Sequence, residues 1–155
     1  MTNRVLNEGP TPYREDGSID VPRSISFDLK DNQAEQSIYF CWRNGAGDYT
    51  EIGSTAFFSE LKAAPYDQIL LYIHGFNNLP EPSIFPQAAN LQSLFDTTTT
   101  GIKGSILVVP LIWPCDDDIG IVTDYYDDQI SADASAFAYA RMFEKFLHWR
   151  IAGST

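Results

Sequence analysis

The groups in this chain whose types could do chemistry are two histidines, two cysteines and a cluster of aspartates. His74 is the best placed of them. It follows directly on Ile69-Leu70-Leu71-Tyr72-Ile73, an uncharged apolar run, and precedes Gly75-Phe76-Asn77-Asn78. Such a run, bounded by turn residues, reads as a strand buried on both faces, so His74-Gly75 stands where that strand leaves the sheet. In open α/β sheets ligands bind at the carboxyl ends of strands, which suits a polar residue and a glycine at this point to binding or catalysis. Taken alone, a His-Gly pair is equally a satisfied polar residue in a tight turn. His148, among Phe146, Leu147 and Trp149, reads as a packing or surface residue of a helix.

The other chemical groups lead less far. A nucleophile on a strand-to-helix elbow needs glycines two residues before and two residues after it. No Ser or Cys in the chain has both. Cys115, between Pro114 and Asp116, sits in an electronegative loop that disfavours the thiolate. Cys41 and Cys115 are far apart, form no CxxC pair, and read as thiols in a reducing compartment. Asp116, Asp117, Asp118, Asp124, Asp127 and Asp128 could in principle hold Mg²⁺ or Ca²⁺. However, Asp116-Asp117-Asp118-Ile119-Gly120 lacks the ordered spacing of a calcium loop, and runs of like charge mark solvated surface. No metal and no cofactor is expected.

Composition narrows the function classes. A formal charge of −11, from 21 acids against 10 Lys plus Arg, argues against a phosphate backbone or an anionic membrane as partner. Between Lys103 and Arg141 there are seven acids and no basic residue, a one-sign surface suited at most to a basic partner. No apolar run approaches the roughly 20 residues of a membrane span. Met1 to Glu8 lack the apolar core of a signal peptide, so the cytoplasm is the expected location. A chain of 155 residues suits one domain with a real core.

The elements that must position His74 can be read in order. Residues 1–22, with turn signals at Gly9-Pro10-Thr11-Pro12 and Asp16-Gly17-Ser18, predict an irregular arm ahead of a domain over 23–155. Ile25, Phe27 and Leu29 alternate with polar residues, and Ser37 to Arg43 alternate again. Two strands joined by a short polar segment predict an antiparallel pair. Ser54 is placed to cap a helix over Thr55 to Ala63, and Pro65 stops it. After the strand Gln68 to Ile73, a helix fits Ser83 to Phe95. A second buried strand fits Ser105 to Ile112, with a break predicted near Pro110. A long helix from about Gln129 to Arg150 carries the stripe Ile130, Ala134, Phe137, Ala138, Met142 and Phe146. Strand, helix, strand, helix at this spacing is a βαβα unit with a parallel sheet.

These residues in this order resemble the α/β-hydrolase superfamily, in particular its branch with a His-Gly-Phe-Asn motif. The resemblance rests on Ile69 to Asn78, then Trp113-Pro114, then Tyr126 with Asp128, and Ser131, Ala134 and Phe137. Gly53-Ser54 with Phe57-Phe58 extend it, so that it covers roughly Glu51 to Arg150. It implies a serine hydrolase acting on an ester, thioester or amide, with a small-molecule or acyl substrate. Matched residue by residue, it implies that the N–H of Phe76 is an oxyanion-hole donor, that Gly75 permits close backbone approach, and that His74 braces the loop. Such donors matter because a developing alkoxide must meet groups already in place. The motif is not the multi-glycine version of many lipases.

The same resemblance implies what is missing. The nucleophile strand would follow the helix ending near Arg150, so the chain reads as the N-terminal part of a hydrolase with an incomplete sheet, inactive alone. The alternative is a non-catalytic hydrolase-like module with an acidic interaction surface. The family's strand order would place the absent strand beside Ile69 to Ile73, leaving an apolar edge for the missing half or another chain. Residues 1–155 expressed alone are therefore expected to aggregate or pair through this edge. Sedimentation analysis checks this, and a clean stable monomer would count against it.

Overall fold

The computed structural model describes residues 1–98, 101, 103–115 and 123–152, without the side chains of 123, 124, 127, 151 and 152. Its elements are β1 (Thr2–Arg4), β2 (Arg23–Ile25), β3 (Ala34–Tyr39), β4 (Cys41–Gly45), β5 (Asp48–Glu51), α1 (Gly53–Ala63), β6 (Gln68–Ile73), α2 (Phe85–Thr97), β7 (Ile106–Leu111) and α3 (Thr123–Ala152). Strands β6 and β7 pair in parallel from Gln68↔Ile106 to Ile73↔Leu111, joined through α2. This is the expected βα unit, and α3 after β7 completes the mixed α/β architecture.

β7 is the inner strand of the pair. Pro110 does not break it: Tyr72 stands opposite Pro110 in unshifted register. The reason is the two-residue alternation of a strand. Val108 N–H points away from β6 to Gln92 Oε1 at 2.8 Å, so the position of the missing Pro110 N–H also lies on the outer edge, where no ladder bond to β6 is lost. Along that outer edge the Gln92 carboxamide acts as a stand-in peptide. It accepts from Val108 N–H and donates to Ile106 O at 2.9 Å. Further along, the amino group of Met1 donates to Pro110 O at 3.1 Å and Ile112 N–H donates to Met1 O at 2.9 Å. A parallel bridge, Thr2↔Ile112, then links β1 to this end of β7. β6, by contrast, has β7 as its single strand neighbour among the described residues. Ile73 is half exposed and Leu70 is also exposed, so β6 is less buried than an apolar run implies.

The N-terminal region departs from its reading in three ways. Residues 1–22 are not wholly an irregular arm, because Thr2–Arg4 form β1, antiparallel to β3, and Met1 to Arg4 are all buried. Arg4 donates to Cys115 O at 2.7 Å, Leu29 O at 3.0 Å and Asp31 O at 3.1 Å. Those carbonyls turn inward to meet the guanidinium, so the expected strand through Phe27 and Leu29 stops at Ile25. Ser37 to Arg43 is split at Phe40, whose carbonyl accepts from Ile52 N–H at 2.9 Å. The expected antiparallel pair is accordingly replaced: β2 pairs with β5, β5 with β4, and β3 with β1.

The helices follow the apolar pattern with corrections at their ends and faces. Ser54 is not the N-cap of α1; Ile52 is, and Ser54 N–H and Oγ both donate to Gly17 O, at 3.1 and 3.2 Å. Gly53 has φ +75°, and a Cβ there would come within 3.0 Å of Gly17 O, so this junction requires glycine. In α3 the buried positions are Asp128, Ser131, Ser135, Ala138, Tyr139 and Met142, whereas Ile130 and Phe137 are 67% and 78% exposed. The buried face is chosen by polar partners: Asn3 Nδ2 donates to Ser135 Oγ at 2.8 Å, and Ser131 Oγ donates to Asn32 O. The central core packs β7 and α1 against α3, through Phe40, Phe58, Val109, Leu111, Tyr139 and Met142.

Gln92→Leu leaves Val108 N–H and Ile106 O without their partner in a partly buried position. We expect it to lower unfolding stability by about 1–3 kcal/mol in urea titration, whereas substitution of the exposed neighbour Ser93 by Ala leaves the midpoint nearly unchanged.

Candidate functional site

The carboxyl ends of β6 and β7 are fastened to each other by one residue pair. The His74 and Trp113 rings stack with centroids 4.9 Å apart and planes 4° from parallel. Trp113 N–H donates to His74 Nε2 at 3.2 Å, and Trp113 Nε1–H donates to His74 O at 2.9 Å. On the other side of the imidazole, Nδ1 lies 2.9 Å from Gly75 O. Nε2 also lies 3.2 Å from Trp113 O, so a neutral ring has a backbone partner at each nitrogen. His74 is 4% exposed, and burial holds its pKa below the ordinary value of 6.5 despite the backbone hydrogen bonds that oppose the shift.

Beyond His74 the backbone turns sharply. Asn77 has φ +54°, a left-handed conformation that Asn tolerates better than most residues. Its N–H donates to Asp128 Oδ2 at 3.3 Å, while Asn32 Nδ2 donates to Asp128 Oδ1 at 2.8 Å. Asp128, 1% exposed, thus ties the loop to the start of α3 and to the segment between β2 and β3. Asn78 O accepts from the buried Cys115 thiol at 2.8 Å, and Asn78 Nδ2 donates to Phe76 O at 2.7 Å. The loop is held by Trp113 and Cys115 just after β7 and by Asp128 of α3, which Asn32 just before β3 supports.

Phe76 lies on the exposed side of this loop. Its ring is 39% exposed and meets Tyr125 edge-on at 5.7 Å, and its N–H has no hydrogen-bond partner among the described residues. A Cβ on Gly75 would meet nothing within 4 Å, so the backbone beside Phe76 is open to an approaching molecule. Residues 51–149 match the family described as Alpha/beta hydrolase of unknown function (DUF900). The chain belongs to that family. No curated protein and no solved structure matches it.

In this DUF900 chain the residues singled out from sequence come together unevenly. His74, Gly75, Phe76, Trp113 and Asp128 converge on one loop. His148 is exposed on α3, well along from it. Of the acidic cluster, Asp116, Asp117 and Asp118 lie outside the described residues, as do the side chains of Asp124 and Asp127. Among the described residues no three His, Cys, Asp or Glu side chains gather as a cation site would require, and no helix is long and apolar enough to cross a membrane. Sequence reasoning missed Asn32 and Arg4 as supports of the loop, because both act across more than 90 residues and no local pattern announces them.

The His74 geometry fixes the sign of a pH effect. Its pKa is lower folded than unfolded, so the unfolded chain binds the proton first as pH falls. The stability from burying neutral His74 is therefore complete above pH 6.5 and is lost as pH drops toward the folded value. Urea unfolding between roughly pH 7.5 and 5.5 should show a stability that slopes downward as pH falls. His74→Gln should flatten that slope while lowering stability at every pH.

Proposed function

We propose that this chain forms the oxyanion side of a serine-type acyl-transfer site acting on an ester, thioester or amide. The observation that carries this reading is the exposed Phe76 N–H at the carboxyl end of β6, which has no hydrogen-bond partner among the described residues, in a loop anchored through Asn77, Asn78 and Phe76 O. In the reaction, a serine Oγ bonds to the carbonyl carbon as its proton passes to a base that accompanies the nucleophile, while the carbonyl π pair moves onto oxygen. The alkoxide so formed accepts from Phe76 N–H and from a second donor beside the nucleophile. His74 is a brace here and not a proton carrier: both ring nitrogens are engaged with backbone groups, and burial keeps it neutral.

The nucleophile then comes from a strand laid along the free edge of β6. Support comes from β6 itself, where Leu70 and Ile73 are exposed. A strand-turn-helix bearing G-x-S-x-G would pair with β6 and bring its serine to the same end as Phe76. The partner of this edge is either a further segment of the same polypeptide or a second chain.

Phe76→Pro removes the N–H, and Phe76→Ala keeps it. In the protein carrying the β6-paired strand, hydrolysis of p-nitrophenyl esters should fall by about 10²–10³ in kcat for the proline variant. The alanine variant should stay within a few-fold. Equal loss in both variants, or a partner strand with no serine on its turn, would sink this reading.

A further inference from the structure

Away from the His74 loop, a cavity of about 560 Å³ lies between β4, α1, α2 and the outer edge of β7. None of residues 74–78 lines it, so it is separate from the candidate active site. Its walls are predominantly carbon. Phe85, Tyr49 and Phe27 form one side, with successive ring centroids 5.9 and 4.9 Å apart, and Trp42, Phe57 and Val108 close the others.

A slot between two strands has the geometry that receives an added β-strand, but the chemistry of β7 opposes that occupant. Gln92 already holds Ile106 O and Val108 N–H, Pro110 has no N–H, and Pro110 O accepts from the Met1 amino group. An inserted peptide would bury its own polar backbone against an edge whose partners are taken, which is costly. Few charges face the slot beyond the Glu60 carboxylate at its rim and the Met1 amino group, whose pKa burial lowers. Arg43 pairs with Glu81 at 2.6 Å and lies 4.8 Å over the Phe85 ring, and burial pushes the Cys41 thiol up to about 12, so it stays uncharged. A space of this size, apolar and with few free polar groups, matches the character of small-molecule sites.

We infer that this cavity is a binding site for an uncharged, elongated apolar molecule, a single alkyl or acyl chain with a neutral head. The aromatic side takes the chain, and the open rim beside the exposed Glu60 leaves a hydroxyl or ester head in water. The assignment is independent of the acyl-transfer reading, because it uses none of the same residues.

The test uses the full chain and 1-decanol, followed by thermal shift and by tryptophan emission. Trp42 lines the cavity and is half exposed, so its emission should move to the blue as the chain covers it, and Trp42→Phe should remove that change. Saturable binding with a raised Tm is expected. Ala89→Phe, on the exposed face of α2 at the cavity wall, should weaken it at least about tenfold, with Ala64→Phe as a second plug at the end of α1. Decanoate should bind less well than decanol. The inference is overturned by the absence of a saturable shift, by unchanged affinity in both plugged variants, or by decanoate binding more tightly than the alcohol.

Discussion

The reciprocal pairing of His74 with Trp113 is the constraint from which the rest of the site follows. Each residue gives the other a stacked ring and a backbone contact: Trp113 N–H to the imidazole, and the indole N–H to His74 O. Two parallel strands would otherwise diverge as they leave the sheet, each with unpaired backbone groups. Here their ends are joined, and Nδ1 of the imidazole lies 2.9 Å from Gly75 O. That contact fixes the first residue of the loop. The direction of every later residue is set relative to it.

The second requirement is a buried polar layer between the N-terminal residues and α3. Arg4, Asn3, Asn32 and Asp128 lie in or beside this layer, and most of their polar atoms find backbone or side-chain partners. Such a layer is a weak source of net stability, but each missing partner is expensive. Its effect is therefore to select one arrangement. Asp128 can accept from Asn77 N–H only when α3 starts where it does, and Ser135 can meet Asn3 only with that face inward. The His74 loop and the helix face are specified by the same contacts.

This explains what could be read from the sequence and what could not. β6 is legible from Gln68 to Ile73 because a continuous apolar run between turn residues has few other uses. The Trp113-Pro114 step and the family resemblance were legible for the same reason, being local and ordered. The face of α3 was not. Hydrophobic periodicity chose Ile130 and Phe137, and the fold chose Asp128, Ser131 and Ser135, whose partners lie about a hundred residues away. Arg4 shows the same limit. Within residues 1–22 it looks like surface, yet it is fully buried against carbonyls from two distant segments. Pro110 misled in the opposite direction, since a missing donor matters only on the side of the strand where a neighbour sits.

The Gln92 carboxamide gives the parallel sheet a polarity of growth. One margin is terminated by a side-chain amide, a proline and the Met1 backbone, and the other is the edge of β6, which has no further strand neighbour among the described residues. Filament growth needs two complementary margins, so that each added unit exposes a fresh copy of the one just covered. This sheet has a single sticky margin. Two copies meeting edge to edge at β6 consume both margins and form a closed pair with nowhere for a third to add. Where no other strand covers β6, self-association through this sheet would therefore end at two.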